Sequence, residues 1–344
     1  MNFVSDNTAA ASPEIMAALA RANYGHAASY GSDAATARLK TRFAEIFERD
    51  VEIFPVVTGT AANALSIAAI APPYGAVICH ELSHIHLDEC GAPEMFSGGS
   101  KLLPVGGAGG KIDPREAQAV LDAYPAGVVH HVQPVALSLT QSTELGAVYS
   151  ADEIAALSQI ARARGLYLHM DGARFANAVA GLGATPASLT WKAGVDIMSF
   201  GATKNGALAA EAVIVFNRDI GSDLAFRRKR AGHLLSKMRF ISTQLEAYLE
   251  GGLWLRLAAH ANKMTARLAA GLAAAGVEVS VPPEANEVFP RLPAASIERL
   301  RAAGARFHPW PMTGDREDAR TIRLVTSFQT TDEEVRRFLE ILQT

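Results

Sequence analysis

Between residues 51 and 216, short apolar runs alternate with stretches of helical periodicity. That alternation confines the chain to α/β architectures. Strands separated by single helices pair in parallel, and a parallel sheet needs helices on both faces. Strands are expected over 51–57, 76–79, 127–132, 136–140, 166–170, 195–200 and 212–216. Helices are expected over 60–70, 114–123, 151–164 and 173–181. Two of these mark their own starts: Asp113 stands before Pro114, and Ser150 with Glu153 forms a capping box. Beyond residue 218 the pattern changes to two long helices over 220–272, broken near Gly251-Gly252. Strands over 277–281, 287–292 and 321–327 follow, with helices over 294–303 and 332–342. The expected fold is α/β: a large domain with a mostly parallel sheet of seven-stranded type covered by helices, plus a smaller C-terminal α+β domain. The expected limits are an N-terminal arm and helix over 1–20, the large domain over 21–250 and the small one over 251–344.

Composition narrows the partners. With 32 Lys and Arg against 35 Asp and Glu, the formal charge is −3, too small a field to hold nucleic acid or an anionic membrane. The most apolar stretch, 61–73, contains Asn63 and ends in a proline pair, short of the ~20 residues a bilayer span needs. The two cysteines, Cys79 and Cys90, form no C-x-x-C pair, and residues 1–7 carry no signal-peptide pattern. A cytoplasmic protein is the expectation. The glycine-rich stretch 106–110 lacks the G-x-G-x-x-G spacing of a dinucleotide site.

In an α/β sheet, ligands sit beyond the carboxyl ends of the strands, and three such ends carry unusual residues. The first runs Val57-Thr58-Gly59-Thr60-Ala61-Ala62-Asn63, where free amides at a helix start make an anion site and Gly59 lets a phosphate approach. The second, His169-Met170-Asp171-Gly172-Ala173-Arg174, places a carboxylate at the mouth of the sheet. The third sets Lys204 among small residues in Gly201-Ala202-Thr203-Lys204-Asn205-Gly206, where poor solvation suits a nucleophilic amine. Taken alone, the first two also read as capped turns and the third as a surface lysine, although the small neighbours of Lys204 argue against the last. Together they match what pyridoxal 5'-phosphate requires: a lysine for the aldehyde, a carboxylate for the pyridine nitrogen and amides for the phosphate.

The order and wording of these motifs resemble the low-specificity L-threonine aldolases, pyridoxal phosphate enzymes of the aspartate-aminotransferase-like fold type I. The resemblance rests on Ser5-Asp6-Asn7, Gly59-Thr60-Ala61-Ala62-Asn63, Glu89-Cys90-Gly91-Ala92-Pro93-Glu94 and His169-Met170-Asp171-Gly172-Ala173-Arg174-Phe175. Trp191-Lys192-Ala193-Gly194, Thr203-Lys204-Asn205-Gly206 and Lys237-Met238-Arg239-Phe240 complete it. One departure is Ala202, where relatives tend to carry glycine. The resemblance implies that Lys204 holds the cofactor, Asp171 pairs with its ring nitrogen and His84 stacks on the ring. It implies that Gly59 and Thr60 bind the phosphate, with Arg239 reaching a neighbouring subunit's site. Ser5, Arg174 and Arg323 would clamp the substrate carboxylate, and His130 would contact the substrate hydroxyl. It further implies a homodimer or homotetramer with active sites at subunit interfaces. The implied reaction is cleavage of a β-hydroxy-α-amino acid to glycine and an aldehyde, with His84 the candidate base and His130 assisting. Close alternatives are β-elimination or transamination on the same cofactor.

A rival pattern runs through the same stretch. His80-Glu81-Leu82-Ser83-His84 satisfies H-E-x-x-H, which on a helix presents two histidines to zinc, with His86, Asp88 or Glu89 as a further ligand. A zinc hydrolase is therefore the distant alternative, weakened because His80 follows a strand-like run.

Overall fold

The computed structural model describes residues 1–343. Among them, seven strands form the main sheet: β1 (Glu52–Val56), β2 (Gly75–His80), β3 (Lys101–Val105), β4 (Gln133–Thr140), β5 (Tyr167–Gly172), β6 (Ile197–Gly201) and β7 (Glu211–Val215). Their order across the sheet is β1-β7-β6-β5-β4-β2-β3. Pairings from β3 through β6 are parallel, and only β7 runs against its neighbours β6 and β1. The mixed, mostly parallel sheet of the expectation is present, as is a smaller sheet. That second sheet takes its strands from Glu278–Val279, Glu287–Val288, Pro290–Pro293, His308–Pro309 and Ala319–Val325.

Several elements differ from the sequence reading. Residues 127–132 form turns, with Gly127 at φ 80° and Val129 91% exposed. An apolar run without a buried partner face gains nothing by pairing. Conversely, Lys101–Val105, not read as an element from the sequence, is a strand that carries Pro104. It lies at the sheet edge, where a missing N–H costs no ladder bond. The helical region after 220 is three helices, Leu224–Arg230, Arg239–Leu249 and Leu253–Ala274. Gly251 and Gly252, both at positive φ, make the last break where the glycine pair implies it.

Helices cover both faces of the main sheet. Helix Gly59–Ile70 is buried on nearly every side, which explains why it has no polar stripe. The opposite face packs on an aromatic cluster in which Phe43 meets Phe200 at 5.1 Å and Phe47 meets Phe216 at 5.0 Å, both edge to face. Burial of each such ring contributes roughly 1.5–3 kcal/mol. A separate core joins Phe3 of the N-terminal arm to Leu268, Leu292, Leu324 and Phe338. The arm thus packs with the C-terminal elements, anchored by Phe3 N–H donating to Arg306 O at 2.9 Å. No described helix is long and apolar enough to cross a membrane.

The carboxyl ends of β5 and β6 pinch together. A Cβ on Gly172 would stand 2.5 Å from Ser199 O, and one on Gly201 would stand 2.5 Å from Ala173 O. This close approach sets the spacing between the turn after Asp171 and the turn that carries Lys204. Gly172→Ala and Gly201→Ala are each expected to lower stability by about 1–3 kcal/mol, read as a fall in the urea midpoint. Unchanged midpoints would show that the strand ends separate freely.

Candidate active site

The carboxyl edge of the sheet opens into two joined chambers. The inner one, with about 480 Å³ of empty space, is walled by Gly59, Asn63, Asp171, Ser199 and Glu211. The outer one, about 990 Å³, is walled by Ser5, Asp88, Glu287, Trp310 and Arg323. His84, Glu144, Arg174 and Lys204 line both, so they stand at the junction.

Asp171 ends β5 and lies buried on the inner floor. Its carboxylate accepts from Asn63 Nδ2 at 2.8 Å and from the Ala173 amide at 3.0 Å. Asn63 is fully engaged: its Nδ2 also donates to Glu89 at 2.7 Å, and its Oδ1 accepts from Ser199 Oγ at 2.6 Å. Glu89 in turn faces His84, with Nδ1 to Oε1 at 2.8 Å. That hydrogen bond raises the His84 pKa above its ordinary value, against burial, which lowers it. Burial conversely raises Glu89, and His84 lowers it. A chain of polar contacts therefore runs from the imidazole to Asp171.

Lys204 sits in the turn Thr203–Asn205 immediately after β6. Glu211 holds that turn by accepting from the amides of Ala202 at 3.2 Å and Thr203 at 3.3 Å. Burial pushes Glu211 up to about 7. Ala202 has φ −127°, a conformation open to any residue, so the departure from glycine costs no backbone strain. Arg174 was expected inside a helix over 173–181. The helix instead runs Phe175–Leu182, leaving Arg174 in its flanking position with the side chain at the junction. Asp6 grips it from the N-terminal arm, taking Nε at 2.8 Å and Nη2 at 3.1 Å. Burial alone would lower the Arg174 pKa, but Asp6 and Glu287 hold it raised.

The residues fit pyridoxal phosphate. A Cβ at Gly59 would project into open space, so its absence leaves room beside the first-turn amides of Gly59 and Thr60, which have no intrahelical acceptor. Asp171 is in place below for a pyridine nitrogen, and Lys204 stands at the junction within the same walls.

The remaining sequence candidates divide. Ser5 and Arg323 line the outer chamber. Arg239 lines neither chamber, and its Nε is buried without a partner. His130 is displaced: it lies exposed on the turns before β4, while Thr140, at the far end of that strand, lines the inner chamber. The eight residues of β4, at about 3.3 Å each, put roughly 25 Å between them. Its assignment to a strand end is corrected, and within this chain it takes no part in the pocket.

The zinc pattern is also corrected. His80 ends β2 rather than sitting on a helix with His84. Both its ring nitrogens are engaged, Nε2 with Gly107 O at 3.1 Å and Nδ1 with the Leu82 amide at 3.0 Å. Among the described residues no group of three or more His, Cys, Asp and Glu could hold a metal ion. The stretch Thr140–Glu144 after a strand reads from sequence as pocket lining without an assigned role, and Glu144 does line both chambers; sequence reasoning misses Glu211 and Glu287. Burial, with Asp171 nearby, pushes Glu144 up to about 7.

A family model for beta-eliminating lyases matches residues 2–295. A low-specificity L-threonine aldolase from a Pseudomonas species is 46% identical over 337 residues, covering 95% of this chain and 96% of that one. The Pseudomonas aeruginosa enzyme of the same name is 47% identical over 339 residues, covering 94% and 97%. The chain belongs to the low-specificity L-threonine aldolase family. The structure of a Leishmania major threonine aldolase superposes with a TM-score of 0.93 at 30% identity, covering 99% of this chain and 98% of that one. A Thermus thermophilus aspartate aminotransferase, at 18% identity with a TM-score of 0.72 over 99% and 90%, shares the fold alone.

In this aldolase-family site the His84–Glu89 contact is open to direct titration. Glu89→Gln is expected to lower the His84 pKa, because it removes the anion that favours the imidazolium. The check is NMR titration of the His84 ring proton, and an unmoved midpoint would show that Glu89 exerts no hold on it.

Proposed function

We propose that the protein cleaves L-threonine, L-allo-threonine and related β-hydroxy-α-amino acids to glycine and an aldehyde, using pyridoxal 5'-phosphate. The carrying observation is the meeting of Lys204, His84 and Arg174 at the junction between a chamber floored by Asp171 and one walled by Arg323. When bound, pyridoxal phosphate supplies an electron sink for the bond broken at Cα.

The chain's own residues would do the rest. Lys204 would hold the cofactor aldehyde, Asp171 its ring nitrogen, and the Gly59 and Thr60 amides its phosphate. Arg174, already fixed by Asp6, and Arg323 would bind the substrate carboxylate, with Ser5 beside them. Fixing that carboxylate orients the Cα–Cβ bond, and such placement lowers the barrier before any proton moves. His84, with Nδ1 tied to Glu89, keeps Nε2 as an acceptor for the β-hydroxyl proton. A histidine whose pKa Glu89 raises suits this step.

The subunit arrangement belongs to the same proposal. Leu87 and Met95, 55% and 78% exposed on the short helices that follow β2, support a homodimer or homotetramer with active sites at subunit interfaces. Arg239 would then serve a neighbouring subunit. Free Cys79 and Cys90 are consistent with a reducing, cytoplasmic setting.

Incubation with L-threonine should yield glycine and acetaldehyde in equal amounts. A keto acid with ammonia would instead mark β-elimination. Lys204→Ala should lose the visible cofactor band and at least about a thousandfold in turnover. Wild-type cleavage by that variant would remove Lys204 from the mechanism.

A further inference from the structure

Glu287 differs from the other pocket carboxylates. Both its oxygens are buried and neither receives a hydrogen bond. It opens the strand Glu287–Val288, opposite Val325 of the neighbouring strand. Arg174 Nη1 lies 3.5 Å from Oε2, at ion-pair distance. Arg323, two residues from Val325, has its own Nε buried and without a partner. A donor and an acceptor pair thus stand unused on the walls of one chamber.

The charge count gives this arrangement a consequence. Arg174 and Arg323 bring two cations, and Asp6 and Glu287 bring two carboxylates. With all four ionised, the side chains of this cluster sum to zero, and Lys204, the further cation on the chamber wall, is committed to the cofactor in the function proposed above. A substrate carboxylate entering the cluster would add an uncompensated anion beside a buried one, which is strongly unfavourable. Neutralising Glu287 restores the balance. Asp6 is the wrong group to neutralise, because it holds Arg174 through two hydrogen bonds and Asn286 Nδ2 donates to it at 3.0 Å. Glu287 has no such bonds to lose.

We propose that Glu287 takes up one proton from solvent when the substrate carboxylate docks on Arg174 and Arg323, so that a neutral acid meets the incoming anion. The proposal rests on the carboxylate site assigned above. The proton ends on a Glu287 oxygen, and no bond to carbon changes. Burial favours the neutral form and Asp6 adds to it, while Arg174, Arg323 and Lys204 oppose it in the free protein. A bound anion beside those arginines cancels part of their opposition.

Other groups face Glu287. His84, Asp88, Glu144 and His308 line the outer chamber with it. The backbone at Gly146 approaches from the loop after β4, where a Cβ would stand 3.2 Å from Glu287 Cβ. Helix Leu253–Ala274 packs behind the strand, placing Met264 and Leu268 in one core with Val288. Glu144, pushed up to about 7, is the chief competitor for the proton.

The probe is 3-hydroxybutyrate, which has the carboxylate and β-hydroxyl but no amine. It would be titrated calorimetrically into holoenzyme from pH 6.5 to 8.5, in two buffers of different ionisation heat. Wild type should take up close to one proton per ligand, with Kd rising about tenfold per pH unit on the alkaline side. Glu287→Gln should abolish the uptake and hold Kd within about twofold across the range, with the cofactor band confirming an intact site. Glu144→Gln should retain the uptake. Binding without proton uptake in wild type would overturn the proposal, as would uptake that survives Glu287→Gln or disappears only in Glu144→Gln. Undiminished binding by Arg323→Ala would instead overturn the carboxylate site on which the proposal rests.

Discussion

The side-chain amide of Asn63 is the contact on which the pocket depends. Its two N–H groups go to two different carboxylates, Glu89 and Asp171, and its carbonyl takes the Ser199 hydroxyl. Asn63 stands one turn after Gly59 on the same helix, so the two share a face. One helical turn therefore sets the anion-binding end, the carboxylate below it and, through Glu89, the imidazole beside it. Only a side chain with donors and an acceptor together can do this. An aspartate there would face two carboxylates with nothing to donate, and a leucine would leave both without their donor in a buried setting.

The pocket concentrates acidity. Asp6, Glu89, Asp171, Glu211 and Glu287 are buried around it, and Glu144 is half-buried. Burial raises Glu89, Glu144, Glu211 and Glu287, whereas the charges of Arg174 and Lys204 bring Asp6 below its ordinary value in spite of burial. The difference follows hydrogen bonding and charge proximity rather than depth. Such an arrangement does not stabilise the fold by itself, since buried ion pairs seldom recover their desolvation. It makes sense as the set of countercharges around a cation-rich ligand site, where groups poised between two protonation states are useful. The aromatic and aliphatic cores beneath the sheet supply the stability that this region withholds.

How much of this was legible depends on which interactions are local. Lys204 and Asp171 could be read because each follows an apolar strand, and an α/β sheet collects strand ends at one edge. Gly59 and Thr60 could be read from the strand–glycine–helix turn. The surroundings of Glu144, Glu211 and Glu287 could not, because a glutamate in a sequence bears no mark of burial. Glu144 meets the His84 amide from 60 residues away, and Glu287 meets Arg174 from a different sheet. Glu211 opens an apolar strand, and a charged residue at a strand start reads as solvated until the neighbouring turn is seen to aim its amides at it. The error at 127–132 has the same origin. Periodicity reports the pattern of apolar residues, and Val129 is apolar yet has nothing above it. The strand at 101–105 goes unread in the sequence, and its Pro104 is tolerated because an edge strand has a neighbour on one side only.

Arg174 reaches the pocket by a route that its sequence periodicity does not show. Helical periodicity from residue 173 would set its direction by the turns of the helix alone. The chain instead leaves β5 through Gly172, whose lack of a side chain lets it pass Ser199, and Arg174 adopts φ −124° before the helix begins. Its aim is then set from outside the sheet domain, by Asp6. That aspartate belongs to an arm whose Phe3 is buried in the C-terminal core and whose Asn2 bridges to Arg306. Arg323 comes from the same C-terminal elements and meets Arg174 across Glu287. The two guanidinium groups that would receive a substrate carboxylate are thus oriented by contacts spanning both ends of the chain. Separation of the C-terminal core from the main sheet would release Asp6, Glu287 and Arg323 together. A carboxylate site built from them would exist only while the two sheets stay docked, which would tie substrate binding to the packing between them more closely than to any single motif.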